Sequence, residues 1–292
     1  MDISILSQYT FQVVAVGTIF LGLAAGAVGA IPVLKGQSLI GDAIGHSSYL
    51  GIVGIFMIIQ TRNPAILALG SFISGSLAFF CIQTIGQHKK IEMNNALAFV
   101  LSSFFGMGMV LKSYIQGHPS YQEVSQAGLQ NYIFGQASYI MKDDTLLIMI
   151  VAALALMMLI VFFKEFKIYI FDEVYAKTVG ISAKYLRWIT LIMCMLLISV
   201  GLKAVGAILI SSMLIVPTIA ALQWTDDFGH VLGIAAFVGG FSAFFGTYLS
   251  STIHNMPTGP AITVVMCSMC FLSILFGPKG LVSNKIKQRG GE

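Results

Sequence analysis

The chain reads as an all-α integral membrane protein of about nine transmembrane helices, and three observations predict that class. Of its 292 residues 57% are hydrophobic and only 10% are charged, giving a mean hydropathy of +0.88. The apolar residues come in runs of about 20, the length an α-helix needs to cross a bilayer. The 30 glycines suit helices that approach closely in lipid, where small residues let backbones touch. A formal charge of +4 is too small to suggest nucleic acid, and its distribution sets orientation instead.

Taken in order, the first run covers residues 11–33 and carries Gly22, Gly26 and Ala30 as a small-residue packing face. Residues 1–10 hold Asp2 and no Lys or Arg, so the basic start of a secretory signal is missing and this run is expected to be a retained span. The next three runs are 39–59, 64–85 and 93–115; the fifth is 145–163, followed by 186–202 and 206–224. Pro217 interrupts the seventh, which predicts a kink, break or re-entrant turn there and leaves eight spans as the alternative to nine. Runs 231–251, with Gly239, Gly240 and Gly246, and 261–276 complete the series.

Basic residues cluster after the third run (Lys89, Lys90), between the fifth and sixth (Lys164, Lys167, Lys177, Lys184, Arg187) and in the tail (Lys279, Lys285, Lys287, Arg289), with Lys35 after the first. Nine spans with the amino terminus outside and the carboxyl terminus cytoplasmic put all of them on the cytoplasmic side. The chain is then one transmembrane domain, 1–292, with an external segment at 116–144, a cytoplasmic segment at 171–183 and a cytoplasmic tail at 278–292. The apolar piece 129–141 within the external segment predicts an interfacial or re-entrant helix. In the cytoplasmic segment Ala176, Val179 and Ile181 are expected to face inward, with Asp172, Glu173, Lys177 and Lys184 outward.

Cys81, Cys194, Cys267 and Cys270 all lie in apolar runs, which argues against a disulfide framework; Cys267-x-x-Cys270 reads more simply as small apolar residues than as a soft-metal site. No G-x-x-x-x-G-K-[ST], H-E-x-x-H or G-x-S-x-G occurs, so phosphate-loop ATP hydrolysis, zincin-type proteolysis and serine hydrolysis have no motif here. The chain is therefore expected not to be an enzyme.

The chemistry concentrates at Asp42 and His46 in the second run. A carboxylate in mid-membrane costs about 2.5–3.5 kcal/mol on insertion scales, so it needs a reason. Spacing i, i+4 puts both side chains on one helix face. Carboxylate oxygen with imidazole nitrogen suits Mn²⁺, Fe²⁺ or Zn²⁺; the alternative is a mutually satisfied structural pair. His118 and His254 fall in predicted external segments, where either could meet an incoming cation as part of an external mouth, whereas His88 reads as a solvated cytoplasmic residue.

Several segments together resemble the permease subunits of the zinc, manganese and iron ABC importers, the ABC-3 family. They are VLKGQSLIGDAIGHSSYLGI (33–52), QAGLQNYIFGQASYIM (126–141), FDEVYAKTVGISA (171–183), VGAILISSMLIVPTIAAL (205–222), MPTGPAI (256–262) and FGPKGL (276–281). The family usually has Ser-His-Ala where Gly45-His46-Ser47 stands here; the ligand pair is kept while its packing changes. The resemblance implies a type II-like ABC importer permease in a bacterial plasma (inner) membrane. It implies a second permease copy or a related permease as dimer partner, two cytoplasmic ABC ATPase subunits, and an external metal-loaded solute-binding protein. It implies that Asp42 and His46 line the pathway as metal ligands, and that 171–183 is the coupling helix to the ATPase, with Phe171, Asp172, Glu173, Ala176, Lys177 and Gly180 in that role. The transported ion is then manganese in preference to zinc or iron, no cofactor resides on the chain, and ATP hydrolysis belongs to a partner. A proton-coupled secondary transporter is the rival class; it would have no use for a docking helix.

Overall fold

In the computed structural model the described residues are 6–61, 63–86, 91–118, 121, 140–253 and 256–282, and all their regular structure is helical. Nine helices among them are long and apolar enough to cross a membrane. These are α1 (Tyr9–Leu34), α2 (Ile40–Ile59), α3 (Pro64–Gly86), α4 (Met93–Gly117), α5 (Lys142–Val161), α8 (Ala183–Leu202), α9 (Ala204–Leu222), α10 (Phe228–Thr252) and α11 (Thr258–Phe276). Two shorter helices, α6 (Phe163–Phe171) and α7 (Glu173–Thr178), fill the connection between α5 and α8.

The turn between α8 and α9 falls where the sixth and seventh runs separate in the sequence and is built on Gly206, whereas Pro217, where a further kink, break or re-entrant turn was expected, stays inside α9. Gly206 has φ +82° and ψ 166°, a left-handed conformation that glycine adopts without steric cost. A Cβ on Gly201 would lie 2.8 Å from Ile210 Cδ1. Nine residues of straight helix would separate the two by roughly 13 Å, so the chain doubles back and α8 and α9 form a hairpin of two spans.

Ion pairs between connections test the parity of the crossings. Lys35, after α1, meets Glu173 at 3.3 Å; Lys167, after α5, meets Asp227, after α9, at 3.1 Å; Lys279, after α11, pairs with Asp226. These connections share one face only if an even number of spans separates each pair, which nine spans satisfy. On the opposite face Ser250 Oγ, at the end of α10, donates to Met256 O at 2.7 Å and lies 2.9 Å from Thr258 Oγ1 at the start of α11.

α1 is the central helix, packed on α10, α9 and α5. Its small residues meet backbone directly: Gly22 against Gly239, Gly26 against Ala235 and Gly29 against Leu214. α2 packs on α3, α4 and α9, with Gly51 against Gly70 on the α3 side. Polar bonds lock a few of these contacts, among them Thr18 to Thr247 at 3.1 Å and Thr145 Oγ1 donating to Val13 O at 3.0 Å.

Candidate functional site

Leu39 precedes the first turn of α2, and Asp42 and His46 follow one turn apart. His46 Nε2 lies 3.4 Å from Asp42 Oδ1, with side-chain exposures of 19% and 39%. Two ligand atoms each about 2.1 Å from a common cation sit roughly 3.0–3.4 Å apart for octahedral to tetrahedral angles, so the pair already has the bite of a shared ion. The other ring nitrogen, His46 Nδ1, is buried without a hydrogen-bond partner. The imidazole stands edge-on to Phe105 of α4, centroids 5.2 Å apart.

Behind the pair, α9 comes within reach because α2 is small there. A Cβ on Gly41 would meet Leu214 at 3.1 Å, and one on Gly45 would meet Ser211 Oγ at 3.2 Å. Ser211 is itself tied down, donating to Ala207 O at 2.8 Å. The departure at Gly45 thus has a physical reason: no larger side chain fits between α2 and Ser211 without a shift. Ser47 O accepts from Ser74 Oγ of α3 at 2.8 Å, which anchors the back of the helix while the ligand side stays partly open. Among the described residues no group of three or more His, Cys, Asp or Glu could hold an ion.

One residue of this seam was missed by sequence reasoning. α4 turns Phe104, Gly108, Lys112 and Ile115 inward, and a Cβ on Gly108 would lie 3.2 Å from the Leu50 backbone of α2. Lys112 is only 8% exposed. A solitary lysine in an otherwise apolar run was the available signal.

The segment 171–183 contains a helix of six residues, Glu173–Thr178, rather than one helix over its whole length. Asp172 caps it, its Oδ1 accepting from Val174 N at 2.9 Å and Tyr175 N at 2.8 Å. Gly180 ends it at φ +82°, with open space where a Cβ would sit, so glycine is required there by the backbone and not by close packing. Ala176 is fully buried, as expected, and faces its own chain rather than a partner; Val179, expected inward, is 48% exposed. Phe171, Val174, Tyr175 and Val179 form an exposed apolar surface, at 62%, 74%, 54% and 48%. Val174 and Tyr175 escaped the sequence reading because a helix this short shows no periodicity.

Glu173 ties this helix to the end of α1. Its carboxylate lies 3.3 Å from Lys35 and 3.4 Å from Lys177. Lys35 Nζ also donates to Tyr169 O at 3.3 Å and sits 4.1 Å over the Tyr169 ring. Burial would raise the Glu173 pKa, but the hydrogen bonds and charges of Lys35 and then Lys177 outweigh it and hold the group below its usual value. Lys35 caps the end of α1, and seven residues further on stands Asp42. Such a partly exposed pair is worth only about 0.2–1 kcal/mol, so its importance is geometric. On the same face Lys167, assisted by the His230 and Gly229 amides, keeps the Asp227 carboxyl below its ordinary range.

His118 caps the end of α4 and lies tilted against Tyr114 at 5.3 Å and edge to face with Tyr121 at 5.9 Å. His254, the expected helix in 129–141, most of the external segment and residues 283–292 of the tail lie outside the described residues. Cys267 is exposed, Cys270 is buried, and both are free.

The ABC 3 transport family matches residues 7–277 of the chain. The chain is 35% identical to the zinc transport system membrane protein TroC of Treponema pallidum (strain Nichols), over 94% of this chain and 91% of that protein. It is 38% identical to the manganese transport system membrane protein MntC of Bacillus subtilis (strain 168), over 94% of this chain and 63% of that longer protein. Its fold superimposes on a chain of PsaBC from Streptococcus pneumoniae in complex with Fab with a TM-score of 0.83 at 25% identity, covering 98% of this chain and 97% of the other. With nine candidate membrane helices among the described residues and a match over nearly the whole length, the chain belongs to the ABC 3 transport family as one of its membrane-spanning permeases.

Proposed function

We propose that this permease imports a divalent transition-metal ion, manganese in preference to zinc or iron, through a pathway formed by two permease copies in a bacterial plasma membrane. Asp42 and His46 of each copy supply the ligands, four in all. The observation that carries this reading is the 3.4 Å Oδ1–Nε2 separation on the partly open side of α2. A structural pair would be better served by a shorter bond and full burial.

Oxygen and imidazole without thiolate form a site of intermediate softness, which accepts Mn²⁺ and still releases it. A transport site must let go of what it binds. Relatives named for zinc and for manganese both resemble this chain and the donor pair accepts all three ions; the preference rests on the resemblance of segment 126–141, with its Gly135-Gln136 pair, to manganese- and iron-type members of the family.

The energy comes from ATPase subunits docked on Phe171, Val174, Tyr175 and Val179 from the cytoplasm, with α7 passing their closure through Glu173 and Lys35 to the start of α2. A solute-binding protein delivers the ion on the opposite side, at the mouth near His118 and His254. Basic clusters place the amino terminus outside. The test is uptake by the reconstituted assembly, with ATPase and binding protein, under competing Mn²⁺, Zn²⁺ and Fe²⁺. Saturable ATP-dependent Mn²⁺ uptake is expected. Uptake driven by a proton gradient without ATP would restore the secondary-transporter reading, and Zn²⁺ uptake with Mn²⁺ excluded would overturn the preference. Cysteines at Ser120 and Asn255 should react with an impermeant thiol reagent from outside; reaction only after opening the membrane would reverse the orientation.

A further inference from the structure

Where α3 ends and α8 begins, a cavity of about 450 Å³ opens to the surface. Its polar lining consists of Gln83, Lys184 and Arg187, with the Thr84 hydroxyl, and no Asp or Glu contributes. Gln83 Nε2 is buried without a hydrogen-bond partner. Thr84 is already occupied, donating to Phe80 O at 2.8 Å. Among the described residues neither Lys184 nor Arg187 makes an ion pair. The apolar side is aromatic: Phe79 meets Trp188 edge to face at 6.0 Å, and Phe80 lies beside them, 57% exposed.

The depth of this cavity is set by the helices. Lys184 is the second residue of α8 and Arg187 the fifth, so at 1.5 Å per residue the guanidinium is rooted roughly 6 Å into the span. Gln83 stands three residues before the end of α3. That is the level of lipid headgroups, where tryptophan collects and long basic side chains reach for the interface.

We propose that this cavity binds the phosphate of an anionic phospholipid from the leaflet on that side. A phosphodiester offers only acceptors, matching a lining of donors, and the planar guanidinium can hold two of its oxygens at once. Phe80 and Trp188 provide the surface along which an acyl chain runs into the bilayer. A zwitterionic headgroup brings an ammonium, quaternary in phosphatidylcholine, toward Lys184 and Arg187 and is disfavoured, whereas phosphatidylglycerol brings none. Each basic residue at a membrane surface favours an anionic lipid by about fivefold, so two predict a preference on the order of tenfold or more. Arg187 also borders the cavity next to Lys35 and Tyr169, so the bound lipid braces the connection that carries α7.

The protein has two tryptophans, and Trp224→Phe leaves Trp188 as the sole reporter. The full-length chain carrying that substitution is placed in phosphatidylcholine vesicles containing equal fractions of brominated phosphatidylglycerol or brominated phosphatidylcholine. Quenching of Trp188 should show a clear preference for the brominated phosphatidylglycerol. Lys184→Gln with Arg187→Gln should abolish the preference while quenching by brominated phosphatidylcholine stays the same, which shows that the chain is still inserted. Gln83→Leu, keeping both charges, should weaken it severalfold, and Arg187→Lys should retain most of it. Equal quenching by the two lipids would overturn the proposal, as would a preference that survives the double substitution. Loss of the preference on adding millimolar inorganic phosphate at constant ionic strength would make this a soluble-anion site instead and would equally refute it.

Discussion

α1 and α2 use glycine in two different ways. In α1 the small residues Gly22, Gly26 and Gly29 press against backbone of α10 and α9, and 78% of its most apolar window is buried within this chain. In α2 the corresponding share is 50%; Gly51 closes one side against α3, while Gly54, three residues on, has nothing within 4 Å of a Cβ position. A helix sealed all round has no surface to offer a passing ion. One sealed on one side can hold two ligands rigidly and present them on the other. The contrast predicts that substitutions in α1 break folding, whereas those on the open side of α2 break transport alone.

The largest effect is expected at the ligand pair. Asp42→Ala and His46→Ala should each cut metal uptake by about 100-fold or more, since even partners behind metal ligands are worth ~10–100-fold, with assembly and thermal unfolding nearly unchanged. Normal uptake in both would reassign the pair to structure. Gly22→Leu should do the opposite, destabilising the fold by at least ~1–3 kcal/mol through overpacking, visible as lost yield and a lower unfolding temperature. If Gly22→Leu were thermally silent, the sealed character assigned to α1 would be wrong.

A third substitution separates transmission from either helix. Val174→Asp with Tyr175→Asp should weaken ATPase docking by tenfold or more, as loss of an aromatic anchor does at other interfaces, and leave the isolated permease as stable as before. Unchanged binding of the ATPase would remove α7 from the docking surface.

Smaller effects belong to the link between the regions. Lys35→Gln should cost at most about 1 kcal/mol of stability yet lower uptake per ATP hydrolysed severalfold; parallel loss of both activities would mean general damage. Because the Glu173 pKa is lowered in the fold, the stabilisation from this pair is fully present above the unfolded carboxylate value and disappears as pH falls through the folded one. Coupling should therefore be constant from pH 8 down to about 5. The smallest effect is Gly54→Ala, expected within about 0.5 kcal/mol of neutral; a change in dimerisation alone would show that a second copy covers that side.

The sequence by itself determined the spans, the one-sided distribution of basic residues and the acid–imidazole pair on a single helix face. These are local properties: hydropathy over about 20 residues and a 3.6-residue period need no knowledge of neighbours. It separated the sixth and seventh runs at residues 203–205 without naming the residue that turns, and it expected a further interruption at Pro217, where α9 stays helical; proline announces itself, whereas a glycine needed for a positive φ looks like the other membrane glycines chosen for packing. Only the tertiary structure decided that Gly206 makes the turn, that Gly45 is small because Ser211 of α9 stands against it, and that Val179 faces out together with Val174 and Tyr175. It alone brought Lys35 to Glu173 and set Gln83 beside Lys184 and Arg187. Those pairings join residues about 100 or more positions apart, and no local pattern encodes a contact whose two halves meet only when the helices have packed.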